Sequence, residues 1–255
     1  MTTADRWTRA VREQLGLGRL LPLGGPRDGA WIAERAARDV LLAAARGVTG
    51  VRPGDLRIGS ADPDDVREPA VPSPPGALPP GPLRVTADFA AVVGPTASAE
   101  PLPATAARLR AALTEAAAAR IGLAVPDVDL RVTGLLDGTQ TREAGGGPGP
   151  GPSDGPDEAD GERDDEGRGS GDEGRVARAA LTVPGVARLT GVLGRPVHLS
   201  EPPPQEGVLP RRHVRVELAV HADHRAVEVA RRVRAVVSEA LPDRPSVAVV
   251  VTDVG

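Results

Sequence analysis

Between residues 145 and 173 the chain has no side chain from which a core could be built. Residues 145–152 are a run of glycine and proline, and Asp154 to Glu173 holds ten carboxylates against Arg163 and Arg168, with no branched aliphatic or aromatic residue. Ordering a residue costs about 1–2 kcal/mol of backbone entropy. A segment that buries almost no apolar area cannot offset that cost, so the composition predicts a disordered acidic Gly/Pro-rich linker, set at 139–174. This break divides the 255 residues into an N-terminal helical extension over 1–28, one module over 29–138 and a shorter one over 175–255. The acidic tract carries −8, so the remainder carries +4 of the chain's net −4.

The two flanks of the linker read alike. In the first, Trp31 to Arg46 places Ile32, Ala36, Val40 and Ala43 at helical spacing and stops at Gly47. Gly50-Val51 leads to a short strand near Ile58, and a Pro-rich loop follows over 62–82. Leu83, Val85, Ala87, Phe89 and Ala91 then alternate with Arg84, Thr86, Asp88 and Ala90 as a half-buried strand. A helix after Pro101 and Pro103 and a strand through Val128, Leu130 and Val132 complete the unit. In the second flank a short helix over 175–182 precedes Gly185-Val186 and a strand over 192–199. Val214, Val216, Leu218 and Val220 alternate with Arg215, Glu217 and Ala219, which puts Arg215 and Glu217 outward. A helix through Ala226, Ala230, Val233 and Val237 follows, and Val247–Val251, apolar on both faces, reads as a central strand. The predicted fold class is α+β, as two tandem modules of order helix-strand-strand-helix-strand. Val128, Leu130, Val132 and Thr133 align with Val247, Val249, Val251 and Thr252, and Gly50-Val51 aligns with Gly185-Val186.

The stretches Trp31-Ile32-Ala33-Glu34-Arg35-Ala36-Ala37-Arg38-Asp39-Val40 with Gly50-Val51, and Val128-Asp129-Leu130-Arg131-Val132-Thr133, resemble the alkaline shock protein family of envelope stress response proteins. In the second half, Val183-Pro184-Gly185-Val186 and Val247 through Val254 carry the same resemblance. It covers both halves, in a tandem form with a shortened second copy, and leaves out the linker and the first 28 residues. It implies a bacterial, non-enzymatic cytoplasmic protein that works by protein–protein contact. The partner it implies is membrane-anchored, at the inner face of the cell membrane, and self-association is a further expectation. It implies no catalytic residues and no cofactor.

Composition excludes several chemistries. There is no cysteine, and all 31 basic side chains are arginine, so thiolate catalysis, a Schiff base and a P-loop lysine are absent. Residues 1–16 lack the apolar run of a signal peptide, and no stretch reaches the roughly 20 apolar residues of a membrane span. Trp7, Val11 and Leu15 fall on one face of a predicted N-terminal helix. With 1% aromatic residues, the core must be built from Val, Leu and Ala.

Candidate constellations remain. His213, His221 and His224 are a candidate metal site, the basis of an alternative reading as a metal-dependent enzyme. Gly47-Val48-Thr49-Gly50 matches the loop of RNA-binding modules in outline. It underlies a second alternative, a nucleic-acid-binding pair, although Pro53 argues against the helix that should follow. The primary expectation is no nucleic acid. Asp160, Glu162 and Asp164 start a calcium-loop pattern that fails at Asp165, where glycine is needed, and at Gly171, where glutamate is needed. Arg211, Arg212, Arg215, Arg225 and Arg232, with Arg231 and Arg234 nearby, make the second module basic and form a candidate docking surface for an acidic partner, the linker itself or a membrane surface.

Overall fold

The computed structural model describes residues 16–93, 100–137, 171–201 and 212–255. Trp7, Val11 and Leu15, Arg211 and the acidic tract up to residue 170 lie outside the described residues. The fold is α+β, and the described residues form four α-helices and nine strands in mixed sheets. One sheet is three-stranded: β3 (Val51–Ser60), β4 (Leu83–Val93) and β5 (Asp127–Asp137). The other has six strands in the order β1 (Leu20–Pro22), β2 (Ala30–Ala33), β9 (Ser246–Val254), β8 (His213–Val220) and β6 (Val186–Leu189), with β7 (Val197–Ser200) also pairing with β8. The helices are α1 (Glu34–Arg46), α2 (Leu102–Glu115, continued by a π-helical stretch, Ala116–Ile121), α3 (Asp172–Leu181) and α4 (Ala226–Ala240). Asp172 and Glu173, expected at the end of the linker, instead form the first turn of α3, where carboxylates face the positive end of the helix dipole.

Both halves contain an antiparallel pairing followed by a parallel pairing through a helix. β3 runs antiparallel to β4, and β4 runs parallel to β5 through a crossover that contains α2. β6 and β7 run antiparallel to β8, and β8 runs parallel to β9 through α4. Val85, Ala87 and Phe89 pair with Val128, Leu130 and Val132, as Val214, Val216 and Leu218 pair with Val247, Val249 and Val251. After each of these runs the ladder skips one residue, Thr133 in β5 and Thr252 in β9. In each bulge the extra threonine donates its hydroxyl to the opposing strand at 3.3 Å, Thr133 to Phe89 O and Thr252 to Leu218 O. Gly50 and Gly185 close the turn after the first helix of each half at φ 81° and 95°, in left-handed backbone that disfavours other residues. Their carbonyls accept the amides of Val92 and His221 at 2.9 and 3.0 Å. The Gly-Val dipeptide is therefore a requirement of the turn that feeds the strand.

One expectation changes. The helix predicted from Trp31 begins only at Glu34, and Ala30–Ala33 is a strand that pairs parallel with β9. Trp31, Ile32 and Ala33 are fully buried, and the Trp31 indole donates to Leu78 O at 3.3 Å from within the Pro-rich loop. The helix face also rotates. α1 buries Ala36, Ala37, Val40, Leu41 and Ala45, whereas Ala43 is exposed, because alanines on several sides leave the apolar stripe poorly defined.

The boundaries expected at 28/29 and 138/175 therefore do not separate two sheets. β1, from the N-terminal extension, and β2, from the first module, belong to the sheet of the second half. The buried apolar residues of both halves form one cluster. Asp28 receives Arg231 through both carboxylate oxygens at 2.8 and 3.0 Å, and Gly24 N–H donates to Gly122 O at 3.1 Å. A Cβ at Gly122 would lie 2.2 Å from Val227, so the halves meet at backbone distance there. Replacing residues 150–165 by a specific protease site and cutting it should give two fragments that still elute together in native gel filtration and separate only in denaturant. Fragments that part without denaturant would show that the β2–β9 contact does not hold the halves together.

Candidate functional site: the outer edge of β5

The predicted histidine cluster does not assemble. His213 opens β8 and His221 follows its end, about 26 Å apart at ~3.3 Å per residue. His213 Nδ1 contacts Ser246 Oγ at 2.9 Å, and burial lowers its pKa. His224 Nδ1 lies 2.8 Å from Asp223 Oδ1, an interaction that holds the Asp223 carboxyl below its ordinary range. Among the described residues, no group of three His, Asp or Glu side chains could hold a metal ion. The Gly47–Gly50 stretch is the turn from α1 into β3, and strand begins at Val51, so the second helix required by the nucleic-acid reading is replaced by a strand.

The candidate docking arginines are largely engaged in holding the fold. Arg212 forms paired hydrogen bonds with Asp243 at 2.7 Å and another with Asp172 at 2.6 Å, tying the start of α3 to the turn after α4. These contacts hold the Asp243 carboxyl below its usual range. Arg225 donates to Ala118 O at 3.0 Å and pairs with Glu228. Arg231 bridges Asp28 and Glu228, and Arg234 donates to Arg27 O. Among the described residues Arg232 is exposed without an ion-pair partner. Of the four candidates among the described residues, Arg212, Arg215, Arg225 and Arg232, one guanidinium is free of an ion pair.

Arg215 and Glu217 do not face outward. The alternation of β8 is broken because its second face is covered by the turn between β6 and β7. Glu217 is fully buried, and its Oε2 accepts Leu193 N–H at 2.8 Å. The backbone of Glu217 bonds Thr190 N–H and Pro196 O on either side of that turn. Arg215, with 14% of its side chain exposed, lies 3.2 Å from Glu217 Oε1. Burial pushes the Glu217 carboxyl upward, and the Leu193 amide and Arg215 only partly oppose it. A groove of about 440 Å³ lies beside this region, between α1 and the β6/β9 end of the sheet. Its polar groups pair among themselves: Arg188 with Asp253 at 3.1 Å, Thr190 with Thr252 at 2.8 Å and Arg35 with Asp39 at 3.9 Å.

Among the described residues, the feature left without a partner strand is a sheet edge. An edge strand exposes unpaired N–H and C=O groups, and proteins usually blunt it with proline, bulges or short length. β1 has three residues, ends in Pro22 and is flanked by a bridge from Leu20 to Ala77. β3 contains Pro53 and a register shift between Pro53 and Leu56. β6 and β7 are four residues each. β5 is an eleven-residue terminal strand without proline, and it carries Val132 and Leu135 at 45% and 59% exposure. Its counterpart β9 is not an edge, because β2 covers the equivalent side. Val249 N–H donates there to Gly29 O at 3.0 Å, and Val249 corresponds to Leu130. Leu130, and by the two-residue alternation Val128 and Val132, therefore point their backbone groups away from β4. Arg110 from α2 accordingly reaches Val128 O at 3.2 Å. No protein-family model matches the chain, and no curated protein matches it.

Two outcomes follow from the β8 geometry. Arg215→Asp should destabilise the protein by about 3 kcal/mol or more in urea unfolding, because it sets a carboxylate against the buried Glu217. Arg84→Asp, on the pseudo-equivalent strand and 47% exposed, should cost about 1 kcal/mol or less. Equal effects would place Arg215 at the surface. Glu217 also has a pH signature. Its folded-state pKa is raised, so its contribution is full below the ordinary carboxyl range and is lost as pH rises through the folded value. Glu217→Gln should lack that component. The stability of the variant relative to wild type should rise from acid to neutral pH, and a pH-independent difference would contradict the burial.

Proposed function

We propose that this chain is a non-enzymatic interaction protein of the envelope-stress, alkaline-shock kind, built on a duplicated module, and that it captures a partner strand along the outer edge of β5. The observation that carries the reading is the contrast between two equivalent edges. In the second half, β2 pairs with Val249, Val250 and Val251 and so covers the middle of the β9 edge. In the first half, no strand among the described residues covers β5: Arg110 holds Val128 O, and the outward backbone groups of Leu130 and Val132 lie beside exposed Val132 and Leu135. Strand addition to such an edge takes affinity from main-chain hydrogen bonds and selectivity from alternate side chains. The resemblance of both halves to the alkaline shock family supports a protein partner at the inner face of the membrane. No helix among the described residues is long and apolar enough to cross a bilayer.

Val132→Pro tests this function. The substitution removes an N–H that points away from β4 and so leaves the β4–β5 ladder intact. Immobilised full-length protein should retain at least one protein from the membrane fraction of its own cell that the variant fails to retain, with circular dichroism and melting temperature preserved. Retention of the same proteins by both forms would overturn the reading.

A further inference from the structure

From the order of charges along β5 we infer that the occupant of this edge is a second copy of the same strand, added antiparallel about a two-fold axis through Leu130, so that the two three-stranded sheets become one. The inference rests on the reading of β5 as a docking edge and names what docks there. Strands related by a two-fold axis pair antiparallel, and outward-pointing residues must oppose outward-pointing residues. This condition admits only registers that set Val128, Leu130 and Val132 of one copy against members of the same set in the other.

Charge selects among them. An axis through Val128 opposes Asp127 to Asp129, an axis through Asp129 opposes that carboxylate to itself, and an axis through Arg131 opposes two guanidinium groups. An axis through Val132 sets Arg131 against Gly134 across the Thr133 bulge and leaves Asp129 and Arg131 without opposite charges. The axis through Leu130 sets Asp129 against Arg131 of the second copy, twice by symmetry, with no like charges opposed. On the other face it pairs Val128 with Val132 of the second copy and Leu130 with itself. The Leu130 amide and carbonyl of each copy then bond one another, and the exposed Val132 is covered by an apolar neighbour. Asp129 is 63% exposed and its contact with Arg84 is long, at 3.6 Å, so the carboxylate is free to turn toward the new partner. β9 cannot form this contact, because its edge is filled and its corresponding residues are Ala248 and Val250.

Sedimentation equilibrium of the full chain, from micromolar to sub-millimolar concentration at low ionic strength, tests the inference. Wild type should dimerise reversibly. Arg131→Asp and Asp129→Arg should each weaken the dimer by about tenfold, because each opposes like charges at two symmetric positions. The double variant Asp129→Arg/Arg131→Asp should restore it to near the wild-type constant, since the swap preserves complementarity. Val132→Pro should abolish it. A dimer that survives Val132→Pro, or single and double charge variants that weaken equally, would overturn the inference, the latter by rejecting the register even if Val132→Pro failed to fold. A wild type that stays monomeric throughout would overturn self-pairing. The broader reading of β5 would then stand or fall separately on whether Val132→Pro loses a retained protein.

Discussion

The structure depends on a four-residue strand contributed across the chain. Ala30–Ala33 runs parallel to β9, with Trp31 and Ile32 buried beside Val249, Val250 and Val251. β9 is apolar on both faces and would expose a row of amides and a valine surface without that neighbour. The pairing requires the segments before and after residue 138 to fold onto each other. Parallel strands need long connections, and this one spans more than two hundred residues, so the contact is highly non-local. A core of small aliphatic side chains yields limited area per residue, which favours one shared cluster over two separate ones.

Two halves with the same backbone have been finished differently. The paired bulges at Thr133 and Thr252, the left-handed glycines at 50 and 185 and the identical β4–β5 and β8–β9 registers show how closely they correspond. The differences are in what covers them. β9 receives β2 and loses its edge, while β5 keeps its edge and faces solvent with Asp129 and Arg131. The antiparallel partner is one long strand in the first half and two short ones in the second, and the interruption folds over Glu217.

The arginines illustrate the difference between composition and role. A basic second half suggests an external acidic partner. In the fold, Arg212, Arg215, Arg225 and Arg231 find their carboxylates and carbonyls within the chain: Asp172 and Asp243, Glu217, Ala118, and Asp28. Guanidinium suits this work because its planar fork binds two acceptors at once, as in the paired contacts to Asp243 and Asp28. With lysine absent, the permanent positive charges of the side chains are all guanidinium groups.

The sequence by itself determined the α+β class, the helix-strand-strand-helix-strand order from α1 to β5 and the central position of β9. Each of these is written in local periodicity or in a glycine that a turn demands. The single strand it placed over 192–199 is instead two short strands, β6 and β7, on either side of a turn. Tertiary structure alone decided the rest. Trp31 and Ile32 suit a helix or a strand equally by pattern, and only the valine edge of β9 makes them a strand. Arg215 and Glu217 alternate as an outward face until a turn from elsewhere in the chain covers them. Asp129 and Arg131 announce a solvated face on β5, but whether that strand lies in the middle or at the edge of a sheet depends on which segment arrives beside it. Local spacing fixes the face a side chain occupies, whereas edge and burial are set by partners distant in sequence.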